Sequence, residues 1–187
     1  KAAEDVVRRE HAKGGGRFDA GLPRISDGQT LFLQHLASKM RPVKSSDANS
    51  GGRAGIVLNG SPLFTGGAGS GESEIRRHLI ESDLVDAIVA LPTNMFYNTG
   101  IATYVWILDN HKPAERRGKI QLIDATSRWT KLRKNLGSKN REISDADRAE
   151  IVKIYDDFTE GEQSKILEPD DFGYWEITVE QPLRLRF

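Results

Sequence analysis

Cysteine is absent from all 187 residues, which excludes disulfides and thiolate metal sites and suits a reducing compartment. No apolar run approaches the roughly 20 residues of a membrane-spanning helix. The opening, Lys1-Ala2-Ala3-Glu4-Asp5, has neither an initiator methionine nor the pattern of a secretion signal. These absences lead us to expect a cytoplasmic protein whose Lys1 lies inside a longer chain. Excess charge is also missing: Lys plus Arg and Asp plus Glu number 27 each, so net charge gives no bulk attraction to nucleic acid, membrane or an acidic partner. The charge is nonetheless uneven. Between His111 and Arg141 basic residues face only Glu115 and Asp124, and the stretch after them to Asp171 is mostly acidic.

What is present centres on residues 84–108, where two runs rich in apolar and β-branched residues, 85–91 and 102–108, have the composition of buried strands. The connector between them, Pro92-Thr93-Asn94-Met95-Phe96-Tyr97-Asn98-Thr99-Gly100, is too long for a tight hairpin. Pro92 ends the first ladder because it lacks an amide proton, and Gly100 tolerates the angles at which the second restarts. Loops that display large side chains commonly carry function, while aromatics near a strand end also serve as core plugs. Residue type alone leaves both readings open for Phe96 and Tyr97.

The remainder supplies a frame. A polar helix is expected over residues 1–13, ended by Gly14-Gly15-Gly16. A second is expected over 27–40, started by a Ser26/Gln29 capping box and carrying Phe32, Leu33, Leu36 and Met40 at helical spacing. His35 stands on it alone, without a second metal ligand at a suitable spacing. A Ser/Asn/Gly linker covers 43–52, a strand 53–59, and a helix 72–82, with a glycine-rich loop at 66–71 between the last two. That loop reads as a flexible loop at the carboxyl end of a strand, a place that rims the ligand crevice of open α/β sheets, in preference to a phosphate cradle: Gly67, Gly69 and Gly71 alternate instead of following Gly-x-Gly-x-x-Gly, and Glu72 stands where a P-loop has lysine. A strand follows at 119–124. Residues 127–142 are basic with little periodicity, fit either for a phosphate backbone or for a solvated face. Ser144 to Asp147 caps an amphipathic helix through Ile151, Ile154, Tyr155 and Phe158, which should pack on the sheet. The tail from Ile166, with Phe172, Tyr174, Trp175, Ile177 and Val179 before Pro182, suggests a short extended strand and a departing arm. This order implies a mixed sheet, parallel first and antiparallel at its edge.

Five segments in sequence carry a family likeness: ISDGQTLFLQHLASKM, AGIVLNGSPLFTGGAGSGESEIRRHLIESD, AIVALPTNMFYNTGIATYVWIL, KIQLIDA with KLRKNLGSKN, and DFGYWEITVEQPLRL. Together they resemble the modification subunit of type I restriction-modification systems, DNA adenine N6-methyltransferases that use S-adenosylmethionine. The resemblance implies an α/β chain, the carboxyl half of a Rossmann-like methyltransferase fold with flanking helices. Residues 1–126 would belong to the methyltransferase domain, and residues 127–187 would form the basic segment, helix and arm packed on it.

The family's glycine motif for the cofactor and its Asn-Pro-Pro-Phe/Tyr motif for the adenine do not occur in residues 1–187. The expectation is therefore that this chain holds no catalytic, cofactor-binding or metal-binding residue and is inactive alone. By the same resemblance Phe96, with Tyr97 beside it, stacks on the extruded target base. Lys131, Arg133, Lys134 and Lys139 contact DNA phosphates, Asn98 and Thr99 steady the loop or meet DNA, and the specificity and restriction subunits are partners. The contrasting reading is a non-catalytic module for DNA binding or subunit assembly.

Overall fold

The computed structural model describes residues 2–47 and 50–179. Its first helix, α1 (Ala2–Lys13), has no buried residue, as its alternating charges lead one to expect. The chain then passes through an irregular connector to α2 (Gln29–Lys39). The expected capping box at its start does not form: Gly28 is the N-cap and no side chain caps the helix. Tertiary partners take the polar groups instead. The Asp27 carboxylate accepts from the Gln29 amide at 3.1 Å, and the Gln29 side chain exchanges hydrogen bonds with Asn59 at 2.8 and 3.0 Å.

Next come β1 (Arg53–Asn59), the short α3 (Ser61–Phe64), α4 (Gly71–Glu81), β2 (Val85–Leu91), β3 (Thr103–Asp109) and β4 (Ile120–Asp124). A two-stranded hairpin, β5 (Thr130–Leu136) with β6 (Lys139–Glu142), leads to α5 (Asp145–Asp157) and β7 (Ser164–Leu167). The main sheet runs β1-β3-β2-β4-β7; β2 and β4 are parallel, and the β1–β3, β2–β3 and β4–β7 pairs are antiparallel. Both edge strands, β1 and β7, pair antiparallel, but the strand expected at the antiparallel edge is not one of them. The strand that returns without a helix, β3, lies inside the sheet: α4 carries the chain one position past β1, and β3 fills the gap.

Two apolar layers hold helices to the sheet. On one face Leu33 of α2 and Ile75 and Leu79 of α4 pack on Leu58, Val85, Ile88, Trp106, Leu108 and Ile120. On the other, Ile151, Ile154 and Tyr155 of α5 cover Val89, Leu91, Ile123 and Ala125. The spacing that predicts this amphipathic helix also predicts its cap: Ser144 accepts from the Asp147 amide at 3.1 Å, and Asp147 accepts from the Ser144 amide at 3.3 Å. A charged network reinforces this contact at the amino ends of β1 and β2. Arg116, nearly buried, lies 3.3 Å from the buried Asp86 carboxylate, with its guanidinium 4.1 Å from the Tyr155 ring centre and 4.2 Å from that of Phe158.

The tail expected to be extended from Ile166 is a strand only as far as Leu167, the end of β7, and departs from expectation beyond it. Residues 169–172 form a single 3-10 turn and 173–179 have no ladder, so no strand forms over 172–179. Tyr174, Trp175, Ile177 and Val179 are exposed. Among the described residues no strand pairs with them, and apolar alternation by itself does not supply a ladder. Residues 180–187, including Pro182, and Ala48 and Asn49 of the linker lie outside the described residues.

Candidate functional site

The connector after β2 begins where Pro92, itself buried, stops the ladder, and it stays compact because two asparagines adopt left-handed backbone angles: φ is 60° at Asn94 and 56° at Asn98. Asparagine tolerates that region better than most side chains. Asn98 shares the tip of a tight turn with Tyr97, closed by a bridge between Phe96 and Thr99. Phe96 is 40% exposed and Tyr97 68%. Neither ring plugs the core. Both stand open on the loop at the carboxyl end of β2.

The basic segment, whose residues show little periodicity, is the β5–β6 hairpin. Its two-residue turn, Gly137-Ser138, sits between the paired Leu136 and Lys139. Gly137 has φ of 61°, as the first turn position of a hairpin of this length favours. Lys131, Arg133 and Lys134 are exposed and Lys139 is half-buried. Among the described residues no carboxylate forms an ion pair with any of the four. Their charge is therefore available to an anionic partner.

These two regions, 30 to 50 residues apart in the chain, meet. The Asn94 carbonyl accepts from the amides of Asn140 at 3.1 Å and Arg141 at 3.4 Å, and the Asn94 side-chain amide donates to the Ser138 carbonyl at 3.1 Å. Arg141 reaches the Thr93 hydroxyl at 3.1 Å while its guanidinium lies 4.0 Å from the centre of the Trp129 ring. A β-carbon on Gly137 would stand 2.6 Å from Asn98 Oδ1 and 3.1 Å from the Tyr97 ring. Aromatic loop and cationic hairpin thus form one surface. Asn94, Gly137 and Arg141 join the two, and composition alone does not single them out; the Gly-Ser pair flanked by strand-length segments is the one signal that marks the hairpin.

The glycine-rich loop is closely packed where it enters α4. A β-carbon on Gly71 would meet the Leu22 carbonyl oxygen at 1.7 Å, so glycine is required there by the packing of the 17–24 connector against the start of α4. The buried Glu72 carboxylate accepts the Arg24 amide at 2.9 Å, placing negative charge where a phosphate or another anion would have to bind. His35 is engaged with Arg17 at 3.0 Å. Among the described residues no group of acidic or histidine side chains is arranged to hold a metal.

Comparison with known proteins settles the lineage. The model of the N-6 DNA Methylase family matches residues 7–174. The chain belongs to that family. Among curated members it is 34% identical over 147 residues to the type I restriction enzyme MjaIX methylase subunit of Methanocaldococcus jannaschii, covering 79% of this chain and 24% of that one. It is 29% identical over 159 residues to the EcoKI methylase subunit of Escherichia coli, covering 83% and 27%. The crystal structure of the type I restriction-modification methyltransferase subunit from Streptococcus thermophilus superimposes with a TM-score of 0.69 at 26% identity, over 84% of this chain and 30% of that one. This N-6 DNA methylase chain thus spans about a quarter of the length of these relatives. The resemblance and the α/β fold class expected from sequence both stand. Among the described residues no helix is long and apolar enough to cross a membrane.

Proposed function

We propose that this chain is the carboxyl part of the methyltransferase region of a type I modification subunit, which transfers a methyl group from S-adenosylmethionine to adenine N6 in DNA. In that role Phe96, with Tyr97 beside it, stacks on the extruded adenine. Taking a base out of the duplex costs a few kcal/mol, and stacking on an aromatic face returns about 1–3 kcal/mol. Lys131, Arg133, Lys134 and Lys139 neutralise phosphates near the extruded base, which positions DNA without reading its sequence. Sequence reading falls to a specificity subunit, and cleavage to a restriction subunit. The observation that carries the proposal is the joining of two exposed aromatics to a hairpin of unpaired cations at the carboxyl end of β2.

The methyl donor and the catalytic amide belong to segments outside these residues, so residues 1–187 alone transfer no methyl group. The outer edge of β1 supports this division. Among the described residues no strand pairs with it, and Val57 is 46% exposed, which is the condition of an edge where further strands add. In the full-length subunit, Phe96→Ala is the test. The proposal expects methyl transfer to fall by about tenfold or more, the loss of roughly 1–3 kcal/mol of stacking, with subunit assembly unchanged. Wild-type turnover in that variant contradicts it.

A reading as an assembly module draws on one other observation, the exposed Tyr174, Trp175, Ile177 and Val179 of the tail. In that case replacing these four side chains by serine abolishes complex formation and Phe96→Ala leaves turnover untouched.

A further inference from the structure

We infer that the tip of the β5–β6 hairpin is a clamp that fixes the shape of the aromatic loop, with Asn94 and Gly137 as its positioning residues. The inference rests on the base-stacking reading for its functional consequence and on geometry for its mechanics.

The aromatic loop has little to hold it from within. Its backbone runs out from buried Pro92, turns at two left-handed asparagines and returns at Gly100, and such angles cost about 1 kcal/mol or more each for a residue with a β-carbon. Surrounding structure must over-determine them. At Asn94 the hairpin does this from both sides of the residue: two β6 amides converge on its carbonyl, and its side-chain amide donates to the carbonyl of Ser138 in the hairpin turn. At Asn98 the fit is steric. A β-carbon added to Gly137 would stand 2.6 Å from Asn98 Oδ1 and 3.1 Å from the Tyr97 ring, so both side chains would have to shift to admit it. The left-handed angle of Gly137 favours glycine independently of this close approach.

Arg141 anchors the base of the clamp, held between the Trp129 ring and the Thr93 hydroxyl. The same two strands carry Lys131, Arg133, Lys134 and Lys139. The element that meets phosphate is therefore the element that shapes the loop, and DNA held by the hairpin finds the aromatics already in place. An ångström-scale displacement of a positioning loop costs on the order of a hundredfold in rate.

The experiment uses the full-length subunit in its complex with cofactor and DNA. Asn94→Gly keeps the left-handed backbone and removes the side-chain bond; Gly137→Ala drives a wedge against Tyr97 and Asn98. Both are compared with Phe96→Ala and with the Gly137→Ala/Phe96→Ala double variant, using amide hydrogen exchange across residues 92–100, thermal unfolding, and kcat and KM for DNA. The expected result is faster exchange confined to 92–100, an unchanged melting temperature, and a fall in kcat of about tenfold to a hundredfold at a DNA KM near that of the wild type. The double variant should be no slower than Phe96→Ala alone, because both changes remove one interaction. Unchanged exchange in both single variants overturns the clamp, and so does a double variant in which the two losses multiply. Faster exchange with a fully active Phe96→Ala protein leaves the clamp standing and overturns the base-stacking reading.

Discussion

Arg116 and Asp86 form an ion pair at 3.3 Å in which both side chains are almost wholly withdrawn from water. Such a pair contributes little relative to an apolar substitute, yet removing one partner leaves the other charge stranded. Arg116→Met should therefore lower unfolding stability by about 3 kcal/mol, seen as an earlier urea midpoint at an unchanged slope. A midpoint equal to that of the wild type would mean that Arg53, 3.9 Å from the same carboxylate, compensates fully.

Tyr155 donates its hydroxyl proton to Asp86 and accepts from Arg53. Burial, then the hydrogen bond to Asp86 and the charge of that carboxylate, push its phenol up to about 12. The unfolded phenol titrates near the ordinary value of 10, so the neutral form is favoured by folding. This contribution is complete below about pH 10 and is lost as pH rises from about 10 to 12. Tyr155→Phe should be less stable than the wild type at neutral pH, by about 2 kcal/mol, and the gap between them should narrow across that alkaline window. Denaturant titrations at stepped pH measure it; a gap independent of pH contradicts the assignment.

Each phosphate neutralised by a basic side chain adds about 0.9 to the slope of log affinity against log salt. Reversing charge at Lys131, Arg133 and Lys134 in the full-length subunit should weaken DNA binding for every sequence alike and flatten that slope by about 2–3. Affinity and slope unchanged by the reversal would remove the hairpin from the DNA interface.

The free edge of β1 gives residues 1–187 a route to self-association when they are expressed alone. Sedimentation should show association that grows with concentration and is suppressed by Val57→Lys, a charge placed on the exposed edge. A chain that stays monomeric at all concentrations would show that the edge is otherwise blunted.

Much of the frame is legible in the residues. The strand at Val85–Leu91 matches its predicted bounds because a dense apolar run buried on both faces leaves no competing period. The Ser144 cap forms as its sequence indicates because nothing distant competes for the same polar atoms. At Ser26 and Gln29 a similar signal fails because Asn59 offers Gln29 a better partner, a long-range fact invisible to a local pattern. The site divides in the same way. Phe96 and Tyr97 are singled out as candidates by residue type and resemblance, whereas the hairpin that meets their loop is hidden by its charge: strands with mostly exposed faces carry no hydrophobic alternation to read. Contacts such as Asn94 to Ser138 emerge only when the chain is folded.

The most direct test of the account asks which residue touches the extruded base. A DNA duplex carrying 5-iodouracil in place of the target adenine is bound to the full-length subunit with its cofactor and specificity partner, irradiated, digested and mapped by mass spectrometry. The account predicts a crosslink on Phe96 or Tyr97. A crosslink confined to a peptide outside residues 92–100 would contradict it.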